Sequence, residues 1–297
     1  MRVLVIGADG FIGRSVVEAL SDDHEVYKAL RLVTDTDPRS FSVELGSKDS
    51  IRDALTKSHP QAIINCAGIV ANTSEARKNV EFTRNMLSTV VELGKPYPKV
   101  IITGSASEYG IVEDVNEPVN EDHPLNPQGD YAHSKVEEVK VAQAYAKEYG
   151  IEVTVARIFN PIGPGMGDKF LLTSLLRQID DFKAGRSGEI TLLRLDSKRD
   201  YIDVRDVAEA MRMFIETEDK SQHVVQNIGS GIAITNGQLL DALLTQFKLL
   251  QKPTIIETRD DPEPTLAARA DISRITAEYG WKPKYNLEDT IKDIIHG

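Results

Sequence analysis

The apolar run RVLVI, residues 2–6, passes directly into Gly7-Ala8-Asp9-Gly10-Phe11-Ile12-Gly13, and helical spacing starts at Phe11. A short apolar run ending at a glycine reads as a strand buried on both faces. Glycines at spacing three and three between a strand and a helix leave few options for the chain. The first permits a tight turn, and the second lets backbone approach a pyrophosphate. The third lets helix and strand pack closely, while the helix N-terminus attracts the phosphate charge. Taken alone, such a loop can be a turn without function. At the first strand–helix junction of an α/β chain it marks Gly7, Gly10, Phe11, Ile12 and Gly13 as a dinucleotide cradle.

The rest of the first half repeats the alternation. Strands are expected at residues 26–32, 62–66, 99–103 and 152–158, and helices at 47–58, 75–93 and 131–148. Ser47 and Ser50 are both candidate caps for the second helix. The pattern implies right-handed βαβ units and an α/β fold with a doubly wound parallel (Rossmann) sheet. After Asn160 the rhythm becomes irregular, and Pro161, Gly163, Pro164, Gly165 and Gly167 crowd one stretch. The expected division is a dinucleotide-binding domain carrying the catalytic residues over 1–160. A smaller substrate-binding region follows over 161–297, with some elements returning to the sheet. It would lie over the carboxyl ends of the strands, where ligands bind in open α/β sheets.

An acid at the end of the second strand would bind the ribose 2′-hydroxyl of NAD, and an Arg would suit the 2′-phosphate of NADP. VYKALRL carries no acid at its tip and ends near Arg31, while Arg14 follows the last glycine. Both can equally be solvated surface arginines. The balance favours NADP, with NAD left open.

Tyr131 and Lys135 stand at i and i+4, so they share one face of a helix. A phenol with a pKa of about 10 is a poor acid–base group at neutral pH, and a nearby ammonium lowers that value. The pair alone is weak evidence, because Tyr and Lys often meet on helix surfaces. Ser105 follows the strand KVIIT-Gly at the carboxyl edge of the sheet, where its hydroxyl can meet a reacting oxygen. His133 falls off the shared face and is expected to be structural or solvent-facing. No stretch has the spacing of a metal site. The net charge of -11 argues against a nucleic-acid or anionic-membrane surface. A lone cysteine, Cys66, and the absence of any signal-like or spanning apolar segment lead to the expectation of a cytoplasmic protein.

The order of the glycine loop, Asn65-Cys66-Ala67-Gly68, GSASEYG (104–110) and YAHSK (131–135) resembles that of the extended short-chain dehydrogenase/reductase family, the NAD-dependent epimerase/dehydratase type. The resemblance covers essentially the whole chain. It implies Ser105, Tyr131 and Lys135 as the catalytic group, with Lys135 also holding the nicotinamide ribose and Ala67 lining the cofactor site. Residues 79–83 (NVEFT) resemble the family's NVxGT helix, with Phe82 where Gly is usual. Residues 157–165 resemble RxxNxxGPG, residues 199–206 resemble RDFxxVxDV, and NIGSG (227–231) and YGWKP (279–283) complete a pattern of enzymes acting on nucleotide sugars.

By this analogy Asn160 and Arg199 contact the substrate diphosphate, and Ser107 lines the substrate site. Arg suits phosphate oxygens, although a salt bridge from Arg199 to Asp200 or Asp203 is the plainer alternative. The stretch from ARIFNPIGPG to RDYIDVRDVAEA and the GSASEYG loop resemble nucleotide-sugar 4-ketoreductases of the GDP-4-keto-6-deoxy-mannose reductase type. Dehydratases of the family carry an acid two residues before the Tyr of GSASEYG. Here Ser107 holds that place and the acid is Glu108, so dehydration is not expected. The resulting expectation is NADPH-dependent reduction of a 4-keto-6-deoxy nucleoside-diphosphate sugar at C4, by a homodimer formed through the 75–93 and 131–148 helices. The apolar faces of those helices could equally pack on the sheet. An NAD-dependent nucleotide-sugar epimerase and a non-catalytic cofactor-sensing protein are the alternatives.

Overall fold

The structure, a computed structural model, describes residues 1–33, 36–112, 117–218, 224–249, 251–258 and 269–296. The first half runs β1 (Arg2–Ile6), α1 (Phe11–Leu20), β2 (Glu25–Leu30), β3 (Ser40–Ser42), α2 (Lys48–Ser58), β4 (Ala62–Asn65), α3 (Arg77–Leu93), β5 (Lys99–Ser105), α4 (Gly129–Tyr149) and β6 (Val153–Ile158). The second half runs β7 (Asn160–Ile162), α5 (Leu171–Lys183), β8 (Glu189–Leu192), β9 (Lys198–Asp203), α6 (Val204–Glu216), β10 (Val225–Ile228), β11 (Ala233–Thr235), α7 (Asn236–Phe247), β12 (Thr254–Glu257), α8 (Ser273–Tyr279) and α9 (Leu287–His296).

Seven parallel strands form the main sheet in the order β10-β6-β5-β4-β1-β2-β3. This is the doubly wound Rossmann arrangement expected from the alternation. All four residues of β4 and all six of β6 are buried, as a sheet covered on both faces requires. α1 and α6 pack together on one face, around Val16, Leu20, Ala208, Met211 and Ile215. On the other face α2, α3 and α4 bury Ile51, Phe82, Met86, Val139 and Ala142. The apolar faces of α3 and α4 therefore lie on the sheet and on each other. Trp281 of the YGWKP segment is 2% exposed and belongs to the first of these cores. Its indole Nε1 donates to the Asp206 carbonyl at 3.2 Å.

Some expectations shift for physical reasons. The helix expected from residue 75 opens with a 3₁₀ turn, Ser74–Ala76, and becomes α-helical at Arg77. Ser47 caps α2 by accepting from Ser50 N, whereas the Ser50 hydroxyl bonds backward to the Ser47 carbonyl. β5 runs beyond Thr103 to Ser105, pairing Gly104 with Arg157 and Ser105 with Ile158. Only a glycine fits at 104: a Cβ would stand 2.8 Å from Glu108 Oε1 and 2.9 Å from Val155 Cγ1. β10 carries the buried polar pair Gln226 and Asn227, so no apolar run announced it.

The second half also forms its own layer. β11-β9-β7 make a three-stranded sheet and β12-β8 a two-stranded one. Leu172, Leu175, Ile179, Leu239, Leu243 and Ile291 form their core. Among the described residues no helix is long and apolar enough to cross a membrane, and no metal-ligand cluster occurs.

Candidate active site

The loop after β1 is shaped by its glycines. Gly7 has φ +74°, and a Cβ there would lie 2.7 Å from Ala67 N. A Cβ on Gly13 would lie 2.0 Å from the Gly7 carbonyl oxygen. The helix thus sits directly on the loop, and α1 begins at Gly10 with no side-chain cap and no acid in its first turn. Uncapped N–H groups at a helix start make an anion site. Ala67, the neighbour of Gly7, continues the same rim from β4, where its N–H donates to Asn65 Oδ1 at 3.1 Å. These residues fit the pyrophosphate of a nicotinamide dinucleotide.

The two candidate phosphate-reading arginines differ. Arg14 donates to the Asp9 carbonyl at 2.9 Å and to the Gly165 carbonyl at 2.8 Å. It ties the glycine loop to the GPG segment of the second half. Arg31, just past β2, has an exposed side chain.

Ser105 is the last residue of β5. Its Oγ accepts from Ser107 N at 3.2 Å and from the Ser107 hydroxyl at 2.9 Å. The 3₁₀ turn Ala106–Glu108 that follows is closed by a capping box in which Glu108 Oε1 accepts from Ser105 N at 2.8 Å. That turn packs against α4, which carries Tyr131 and Lys135 in its first two turns. Ser105, Ser107 and Tyr131 are partly exposed, while Lys135 is 3% exposed beneath them. Lys135 Nζ donates to the Thr103 carbonyl at 3.0 Å, stands 6.0 Å from the Tyr131 ring centroid, and pairs with Glu138 Oε1 at 3.0 Å. Burial pulls the Lys135 ammonium pKa down, but the Glu138 carboxylate and Tyr131 outweigh it, and the value stands above that of an ordinary lysine. His133 is exposed, with Nδ1 2.8 Å from the Gly129 carbonyl oxygen.

Asn79 fixes the floor of this region. Its Oδ1 accepts from Ile69 N at 2.8 Å and its Nδ2 donates to the Ile69 carbonyl at 3.2 Å, so α3 holds the loop after β4. Cys66 lies in that loop. Burial pushes its thiol pKa up to about 12, against a smaller downward pull from Lys135.

Behind the site lies a network that sequence reading missed. Glu108 is 0% exposed and Arg157 2% exposed, and they form an ion pair at 2.7 Å. Arg157 Nη1 donates to the Tyr109 hydroxyl at 2.9 Å, which donates to Asn227 Oδ1 at 2.7 Å. Asn227 N donates in turn to Glu121 Oε1 at 2.8 Å. Glu108 therefore faces inward and is not available to a ligand. The sequence shows only an Arg inside the buried strand β6; what it pairs with depends on the β5–β6 register, which sets Arg157 opposite Gly104.

Asn160 and Arg199 lie on neighbouring strands of the small sheet, where Asn160 pairs with Tyr201 and the Asn160 amide donates to the Asp200 carbonyl at 3.0 Å. The salt bridge weighed for Arg199 does not form. Asp200 accepts from Ser230 N, Gly231 N and Ala270 N, and Asp203 pairs with Arg205. Among the described residues Arg199 has no carboxylate partner. Its Nη1 reaches only the Ser197 hydroxyl and the Lys198 carbonyl.

Comparison with known proteins identifies the family. Residues 3–229 match the model of the NAD dependent epimerase/dehydratase family. A GDP-6-deoxy-D-mannose reductase of Pseudomonas aeruginosa is 28% identical over 309 residues, covering 99% of this chain and 96% of that protein. The solved structure of RMD from Pseudomonas aeruginosa complexed with NADPH superposes with a TM-score of 0.86 at 25% identity, covering 99% of this chain and 96% of that one. The Thermus thermophilus UDP-glucose 4-epimerase in complex with NAD shares the fold, with a TM-score of 0.84 at 23% identity and coverage of 100% and 98%.

Proposed function

This chain belongs to the NAD dependent epimerase/dehydratase family of NAD(P)-dependent enzymes, and from that premise we propose that it reduces the C4 carbonyl of a 4-keto-6-deoxy nucleoside-diphosphate sugar with NADPH. The observation that carries the reading is that Ser105 and Tyr131 are partly exposed and Lys135 is buried, combined with an inward-facing Glu108. Proton transfer to a carbonyl is provided for, whereas elimination of water lacks its acid at Ser107. The similarity to a GDP-6-deoxy-D-mannose reductase supports the same substrate class.

Gly7, Gly10, Phe11, Ile12, Gly13 and Ala67 would hold the dinucleotide, and exposed Arg31 would meet the 2′-phosphate. When bound, the nicotinamide supplies the hydride. Tyr131 donates the proton to the carbonyl oxygen, a positioned acid worth roughly 10²–10⁴-fold in rate. Ser105 donates a hydrogen bond to the same oxygen and polarises it, and Ser107 lies beside it. Lys135 favours the negative charge that Tyr131 acquires and orients the ribose. Asn160 and the carboxylate-free Arg199 take the diphosphate oxygens. Replacement of Tyr131 by Phe tests the assignment: turnover should be lost while NADPH binding is kept, and retained turnover would refute it. A cytoplasmic homodimer belongs to the same reading, and light scattering at the mass of two 32.9 kDa chains checks the dimer.

A further inference from the structure

Lys135 is 3% exposed. Facing it are Tyr131 and Glu138 from α4, Glu108 from the turn after β5, and the Cys66 thiol from the loop after β4. Glu108 is committed to Arg157, and the Cys66 thiol is held neutral by burial. Glu138 is different. It is 2% exposed, one turn along α4. Its Oε2 accepts from Thr83 Oγ1 of α3 at 2.8 Å, which aims the carboxylate. Its Oε1 meets the Lys135 ammonium at 3.0 Å and, among the described residues, no other donor.

Bringing a carboxylate to this depth strips it of hydration, a cost that its partners must offset. Anchoring the ammonium alone does not require it, since the Thr103 carbonyl already does so. Resting on the reading that Tyr131 donates the proton, we propose that Glu138 is a positioning residue acting through Lys135: its charge, 3.0 Å from the ammonium, keeps the Tyr131–Lys135 pair in its fully protonated, proton-donating form. As pH rises the two groups give a proton to solvent, and a fixed negative neighbour opposes that loss whichever group releases it. A charge within 4–6 Å moves such an equilibrium by about 1–3 pH units. The device favours carbonyl reduction over alcohol oxidation, because reduction needs the phenol and oxidation the phenolate.

The test is a tyrosinate absorbance titration of the cofactor-free protein. Subtracting the Tyr131→Phe titration isolates Tyr131 among the 9 tyrosines, and the same difference is taken in a Glu138→Gln background. The Tyr131 midpoint should fall by at least about one pH unit, a tenfold loss of proton affinity. Glu138→Asp keeps the charge but withdraws it from Nζ, and should lower the midpoint by less; it also carries the test if Glu138→Gln does not fold. A midpoint that is unchanged or higher in the variant measured overturns the proposal and leaves Glu138 a packing anchor. The titration needs neither substrate nor cofactor. Failure of the reductase reading would instead appear as absent NADPH consumption by the unmodified protein.

Discussion

Arg157 donates twice to one oxygen of Glu108, through Nε at 2.9 Å and Nη2 at 2.7 Å, while the other oxygen of Glu108 holds the backbone N–H of Ser105. The proposed carbonyl-binding serine is thus fixed from behind by a buried ion pair. Removing one partner of such a pair leaves an uncompensated charge and costs about 3–5 kcal/mol. Glu108→Gln and Arg157→Met should each lower the melting temperature by on the order of 10 °C. The double variant should recover part of that loss, since both charges are then gone. Calorimetry of the three proteins checks it, and purely additive losses would contradict the pairing.

The glycine loop and the helix carrying Tyr131 and Lys135 were legible because their constraints are local. Gly7, Gly10 and Gly13 serve a turn and a helix contact within seven residues, and the Tyr131–Lys135 spacing fixes a shared helix face. The Glu108–Arg157 pair was not legible, because it depends on the β5–β6 register. Glu138 was hidden for a related reason: an acid on a helix is ordinarily a solvated residue, and only the packing of α3 on α4 buries it. β10 escaped notice because Gln226 and Asn227 interrupt its apolar pattern, and their side-chain amides donate to sequence-distant partners, Glu278 and the Val119 carbonyl.

Gly13→Ala should damage the cofactor site without touching the catalytic side chains. The new Cβ would stand 2.0 Å from the Gly7 carbonyl oxygen, so α1 or the loop must move. Overpacking of this kind costs about 1–3 kcal/mol, which corresponds to roughly 10–100-fold weaker NADPH binding. Fluorescence titration with NADPH measures it.

Arg14 and Arg31 are both exposed, but Arg14 is occupied by two backbone carbonyls, and Arg31 stands just past β2. The unmodified protein should bind NADPH more tightly than NADH. Arg31→Ala should reduce that preference by about tenfold or more, the value of a charged hydrogen bond. Tighter binding of NADH by the unmodified protein would refute the NADP assignment.

Arg199→Ala should raise the KM for the nucleotide sugar by roughly 10–100-fold, since hydrogen bonds to charged groups contribute about 1.5–3 kcal/mol. The KM for NADPH should stay unchanged. Initial rates at varied concentrations of each substrate separate the two effects.

Cys66 gives a pH-dependent check on the packing beneath Lys135. Burial raises its thiol pKa to about 12, so the reactive thiolate is scarce at pH 8 and forms only as pH rises toward that value. Alkylation of the native protein at pH 8 should be roughly 10³-fold slower than in urea, where the thiol regains a pKa of about 8.5. With a single cysteine in the chain, the alkylated mass reports this site alone.

The most direct measurement is nicotinamide absorbance after mixing the purified protein, NADPH and a freshly prepared 4-keto-6-deoxy sugar, as its GDP and dTDP forms in turn. The account predicts rapid loss of NADPH with one of them, abolished by Tyr131→Phe. No loss with either form, in a protein that still binds NADPH, would contradict the ketoreductase reading and direct attention to an epimerase or a cofactor-sensing protein on the same scaffold.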